Sequence, residues 1–162
     1  MKVSDICTFV IEYLLFNLQQ ILTNLASADE NKLIIFEHLG LIDAVLRVAN
    51  VDKCKNVREY CSSALMDLSS APLNQVQMAK SDKLLATIVK LCVIDEVPET
   101  RENAVTTLQN LAFAKENRRN LAKFGNSVIL EALKKIISSD SNYKARRRAA
   151  GEIITLYFWK YS

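Results

Sequence analysis

Displaced by 43 residues, this sequence falls back on itself. Leu22, Leu65 and Leu108 share that spacing, as do Leu25, Leu68 and Leu111. Asn31, Asn74 and Asn117 repeat at the same phase, followed by Ile35, Met78 and Leu121. A period in the forties carried by helical patterns marks an α-solenoid, in which each unit buries its apolar face only against its neighbours. Such an architecture points to a binding surface and away from an active-site cleft.

The middle unit shows the internal order. Val57, Cys61, Ala64, Leu65 and Leu68 form a stripe at helical spacing, and Ser69-Ser70-Ala71-Pro72 ends it because proline cannot continue the hydrogen-bond ladder. A short helix is expected from about Leu73 to Lys80. Ser81-Asp82 then read as an N-cap for a medium helix through Leu84, Leu85, Ile88, Val89 and Cys92, and Pro98 opens the next long one. The same pieces recur before it, as Leu18–Ala26, Asn31–His38 and Leu41–Ala49 with Gly40 at the turn. They recur after it as Glu99–Ala114, Glu116–Lys123 and Ser127–Ser138 with Gly125 at the turn, and a last long helix runs from Tyr143 to about Lys160. Gly and Pro total only five residues, which suits long helices with short connections. The expectation is one all-α domain over residues 1–162, about three units plus a terminal long helix, with junctions near 27–31, 70–74 and 113–117.

Within this frame, Ile21-Leu22-Thr23-Asn24-Leu25-Ala26 and Leu108-Gln109-Asn110-Leu111-Ala112 resemble the "ALxNLA" motif in the third helix of the armadillo repeat family, or of closely similar HEAT-like units. The resemblance covers nearly the whole chain. It implies a right-handed superhelix whose long helices line a concave groove for extended peptide segments. Helical geometry places residues at i, i+3 and i+7 on the face opposite the leucines. These are Asn17, Gln20 and Asn24 in the first long helix, Tyr60, Ser63 and Asp67 in the second, and Asn103, Thr106 and Asn110 in the third. Continuing the 43-residue step gives Arg146, Ala149 and Ile153 in the fourth. Carboxamides both donate and accept, so such a row suits the backbone of an extended chain. Nuclear import adaptors of the family carry tryptophans one turn before the groove asparagine. Here those positions are Gln20, Ser63, Thr106 and Ala149, and the only tryptophan is Trp159. The stems of a lysine-rich signal would find no stacked slots.

Chemistry-bearing constellations are thin. His38 is the single histidine and has no nucleophile or carboxylate spaced to work with it, and no glycine-rich phosphate loop occurs. Cys7, Cys54, Cys61 and Cys92 lack metal-ligand spacing and sit in apolar stretches, as buried free thiols do in a reducing compartment. The chain is therefore read as a non-enzyme without metal or cofactor. Met1–Leu18 is apolar but interrupted by Asp5 and Glu12, which argues against a signal peptide, and no stretch is long enough to span a bilayer. A cytosolic or nuclear setting is expected.

Charge is uneven. Residues 1–81 carry net −2 and residues 82–162 net +5, with the excess in Lys115, Arg118, Arg119, Lys123, Lys134, Lys135, Lys144 and Arg146 to Arg148. An acidic or phosphorylated protein segment is the partner this favours, through Arg146 on the expected groove row. Nucleic acid is the alternative, since basic side chains neutralise phosphates without reading bases. The apolar first and last helices leave a third reading, self-association through an end.

Overall fold

A computed structural model of the chain describes residue 17, residues 40–51 and residues 54–161. Asn17 is helical. All regular elements of the two longer stretches are α-helices: α1 (Leu41–Val51), α2 (Lys55–Ser69), α3 (Pro72–Met78), α4 (Asp82–Ile94), α5 (Pro98–Phe113), α6 (Lys115–Ser139) and α7 (Tyr143–Tyr161). The chain is all-α over these residues. The helices expected at Leu18–Ala26 and Asn31–His38, and the junction near 27–31, lie outside the described residues.

The helix boundaries have local causes. Pro72 and Pro98 occupy the first turns of α3 and α5, where a missing N–H is no loss. Ser81 caps α4 by accepting a hydrogen bond from the Leu84 backbone N–H at 3.3 Å, as the sequence predicts. Gly40 precedes α1 with φ +83°, a conformation that glycine adopts without a Cβ penalty. The turn expected at Gly125 is present as a break within α6. Phe124 leaves helical geometry, and Gly125, Asn126 and Ser127 follow with φ of +53°, +58° and +72°. Three consecutive left-handed residues make a sharp corner between the two helical parts of α6.

Each long helix packs on the helix before it in sequence, most extensively α7 on α6, and also on the long helix of the neighbouring unit. Among the long helices, α2 packs on α5 and α5 on α7; among the medium ones, α1 packs on α4 and α4 on α6. Leu46, Leu65, Met78, Leu85, Leu108, Leu121 and Leu133 are fully buried, and they belong to one apolar cluster running from Val45 to Leu156. The leucine stripe that defines the period is therefore the inner face of the helices.

The corner in α6 also changes the period. Before it, Asn74, Met78 and Ala79 correspond to Asn117, Leu121 and Ala122, a step of 43. After it, the buried set Leu84, Leu85, Ile88 and Leu91 corresponds to Ile129, Leu130, Leu133 and Ile136, and Asp95 to Asp140, a step of 45. The two added residues fall between Ala122 and Ile129, where the left-handed corner takes them up. On α7, equivalents of α5 residues consequently lie 45 positions on, as Pro98 and Tyr143 at the two helix starts show.

Candidate functional site

The expected groove residues sit on neighbouring long helices. Tyr60, Ser63 and Asp67 on α2 are half-buried, as are Asn103 and Asn110 on α5. Thr106 is buried, and its hydroxyl donates to the Glu102 carbonyl one turn back at 2.8 Å. The α5 carboxamides reach across to α2. Asn103 Nδ2 donates to Ser62 Oγ at 3.1 Å, and Asn110 Nδ2 donates to Ser69 Oγ at 2.9 Å and to the Met66 carbonyl at 3.4 Å. The α5 amide nitrogens thus tie the two helices side by side through Ser62, Met66 and Ser69, none of which belongs to the expected α2 row. Each carboxamide keeps its oxygen as a further acceptor. Asn17 is half-buried, whereas Gln20 and Asn24 lie outside the described residues.

The fourth row differs from its sequence expectation. Ala149 is fully buried and Ile153 packs against the core, so neither lines an open groove. Through the 45-residue step, Asn103, Thr106 and Asn110 correspond to Arg148, Gly151 and Thr155. Arg148 donates from Nη1 to Gln109 Oε1 at 3.3 Å, and its Nε lies 3.6 Å from Glu102 Oε1. It is Arg148, not Arg146, that crosses to the preceding long helix as Asn103 does. Arg146 instead stands at the first turn of α7, where Nη1 donates to the Asp140 and Ser141 carbonyls.

A second set of ties was not anticipated from the sequence. Arg58 on α2 donates from Nε to Asp95 Oδ2 at 2.5 Å, just before α5. One unit on, Arg101 on α5 clamps Asp140 just before α7, with Nε to Oδ2 at 2.6 Å and Nη2 to Oδ1 at 2.9 Å. Each aspartate also fixes the turn it stands in: Asp95 Oδ1 accepts from the Val97 N–H at 3.0 Å, and Asp140 Oδ1 from the Asn142 N–H at 2.8 Å, two residues on in each case. Arg101 and Arg146 each complete the arrangement by binding the carbonyl of the aspartate six residues earlier in their own unit. Burial opposes ionisation of Asp140, but the Arg101 guanidinium and the Asn142 N–H hold its carboxyl below the usual range. Arg58 is held above its ordinary value, first by its hydrogen bond to Asp95. The signal was present in the sequence, because Arg58 and Arg101 are 43 apart and Asp52 and Asp95 are too. It was missed because each bond joins two different residue types, 37 or 39 positions apart.

The recurrent asparagines have a third role. Asn74 Nδ2 donates to the Leu68 carbonyl at 3.0 Å, and Asn117 Nδ2 to the Leu111 carbonyl at 2.8 Å. Both carbonyls lie near the C-terminal end of a long helix, where backbone acceptors lose their intrahelical donors. Asn117 also donates to the Gln75 carbonyl at 3.0 Å, which joins α6 to α3.

Cys61 and Cys92 are buried, and burial pushes the Cys92 thiol far above its ordinary value. Cys54 is half-buried. Among the described residues no group of three His, Cys, Asp or Glu side chains is placed to hold a metal ion. No helix among them is long and apolar enough to cross a membrane. Cys7 and His38 lie outside the described residues. No protein-family model matches the chain, and no curated protein is significantly similar to it.

Proposed function

We propose that the chain is an armadillo-like α-solenoid that acts as a non-catalytic interaction scaffold and binds an extended segment of a partner protein along its long helices. The observation that carries this reading is the presence of half-buried polar residues on two adjacent long helices, Tyr60, Ser63 and Asp67 on α2 and Asn103 and Asn110 on α5. The two helices are fixed side by side beneath that surface, where Asn103 donates to buried Ser62 and Asn110 to buried Ser69. Backbone groups of an extended peptide need paired donors and acceptors at regular intervals, and a row stepped from helix to helix supplies them. The 43-residue leucine and asparagine pattern and the packing of long helix on long helix support the solenoid part of the reading.

Affinity capture with the intact chain tests it, run in parallel with a Tyr60→Ala/Asp67→Ala variant. Both positions belong to the expected α2 row and are half-buried. The variant should lose the captured protein while keeping wild-type helicity and melting. Undiminished capture would remove the groove assignment.

A further inference from the structure

The groove row extends one helical turn toward the helix starts. On α2 the residues at i, i+3, i+4 and i+7 are Asn56, Glu59, Tyr60 and Ser63, and on α5 they are Glu99, Glu102, Asn103 and Thr106. The 45-residue step carries the α5 set to Lys144, Arg147, Arg148 and Gly151 on α7. Charge therefore changes sign along the row. Glu59 on α2 and Glu99 and Glu102 on α5 give way to Lys144, Arg147 and Arg148 in the corresponding places on α7. At the boundary the two signs meet, with Arg148 Nε 3.6 Å from Glu102 Oε1. Glu99, Lys144 and Arg147 are exposed and Glu59 is half-buried. None of these four forms an ion pair with another described residue.

The acidic side has room for a guest. A cavity of about 410 Å³ opens between the starts of α2 and α5, and Glu59, Glu96, Glu99 and Lys55 are among its lining residues. Arg58 holds Glu96 at 3.2 Å, so Lys55 is the one cation in the lining that stands against Glu59 and Glu99. Burial first, and then the charges of Glu99 and Asp95, keep the Glu59 carboxyl above its ordinary value. A cation seated there relieves the repulsion between the carboxylates.

Resting on the groove reading proposed above, we infer that the groove selects an extended segment whose charge reverses along its length. A lysine or arginine of the segment sits between α2 and α5, and an aspartate or glutamate sits on Lys144 and Arg147 of α7. Packed helices lie about 8–10 Å apart, so one and a half helix spacings separate the two charge centres by roughly 14 Å. Extended chain covers about 3.3–3.6 Å per residue, which sets the opposite charges about four residues apart. A uniformly basic segment meets Lys144 and Arg147, and a uniformly acidic one meets Glu59 and Glu99, so like charges work against both.

The test uses the intact chain and labelled, end-blocked peptides of Ser, Thr and Asn that carry four charged residues. In the block peptides a Lys-Lys pair and a Glu-Glu pair are centred about four residues apart, in either order. The controls alternate the same four residues, or carry four lysines or four glutamates. Fluorescence anisotropy at low salt should show one block order binding roughly tenfold tighter than every control, with the preference shrinking at high salt. Lys144→Glu/Arg147→Glu changes two exposed side chains and should turn the preference toward the four-lysine peptide. Tyr60→Ala, checked for wild-type melting, should weaken the block and alternating peptides alike. If those two peptides bind the wild type equally and Tyr60→Ala weakens both, the groove stands and the charge selection falls. If the block peptide binds Tyr60→Ala as tightly as the wild type, the groove reading falls and the inference with it. Absence of wild-type binding, best binding by a uniformly charged peptide, or indifference to Lys144→Glu/Arg147→Glu also overturns the inference.

Discussion

At the scale of single residues, the buried polar groups divide into those that close a helix and those that strain the fold. Asn117 is of the first kind, with two donors spent on the Leu111 and Gln75 carbonyls in a buried setting. Asn117→Ala leaves both acceptors unpaired and should lower stability by about 2–3 kcal/mol. In a chain of this size that is a fall of roughly 5–10 °C in melting temperature, measurable by circular dichroism. Glu152 is of the second kind. It occupies the position of buried Thr107, and its Oε1 has no hydrogen-bond partner. Burial raises its carboxyl to about 8, with only the Arg118 charge opposing the shift. The folded chain therefore holds a proton that the unfolded chain releases near 4.5. Stability falls as pH rises from about 4.5 to about 8, and the penalty is complete above that. Glu152→Gln should melt several degrees higher than wild type well above pH 8, match it below 4.5, and flatten the slope between.

At the scale of elements, the long helices are held in sequence by ion pairs placed at helix starts. The Arg101–Asp140 pair is nearly enclosed, with side chains 13% and 2% exposed. Removing one partner of a buried pair strands the other charge, so Arg101→Ala should cost about 3–5 kcal/mol and loosen α5 from α7. The Lys83–Asp43 pair between α1 and α4 makes the comparison, because both side chains are more than half exposed. Lys83→Ala should change stability by less than about 0.5 kcal/mol in the same urea titration. Acid sharpens the contrast. Asp140 is held below its ordinary 3.8 by Arg101 and Asn142 against the opposition of burial. Its contribution is present above that value and is lost as pH falls through the lower, folded one.

At the scale of the whole molecule, the order of helices was legible because periodicity and caps are local. The stripe from Val57 to Leu68 gave α2, Ser81 gave the start of α4, and Pro98 gave the start of α5. What joins one helix to the next was not legible. The Arg58–Asp95 and Arg101–Asp140 bonds pair unlike residues across a turn, and a search for like residues at a fixed step passes over them. The fourth row was misplaced for a related reason. Gly125 marks the turn, but the sequence gives no sign that Asn126 and Ser127 follow it into left-handed geometry and absorb two residues. That corner bears on how the surface is to be probed. A charge scan spaced at a constant 43 would, beyond residue 127, strike buried Ala149 and the core-packed Ile153. Loss of the fold would then pass for loss of a contact. Spaced at 45, the same scan reaches Arg148, Gly151 and Thr155 and leaves the core alone.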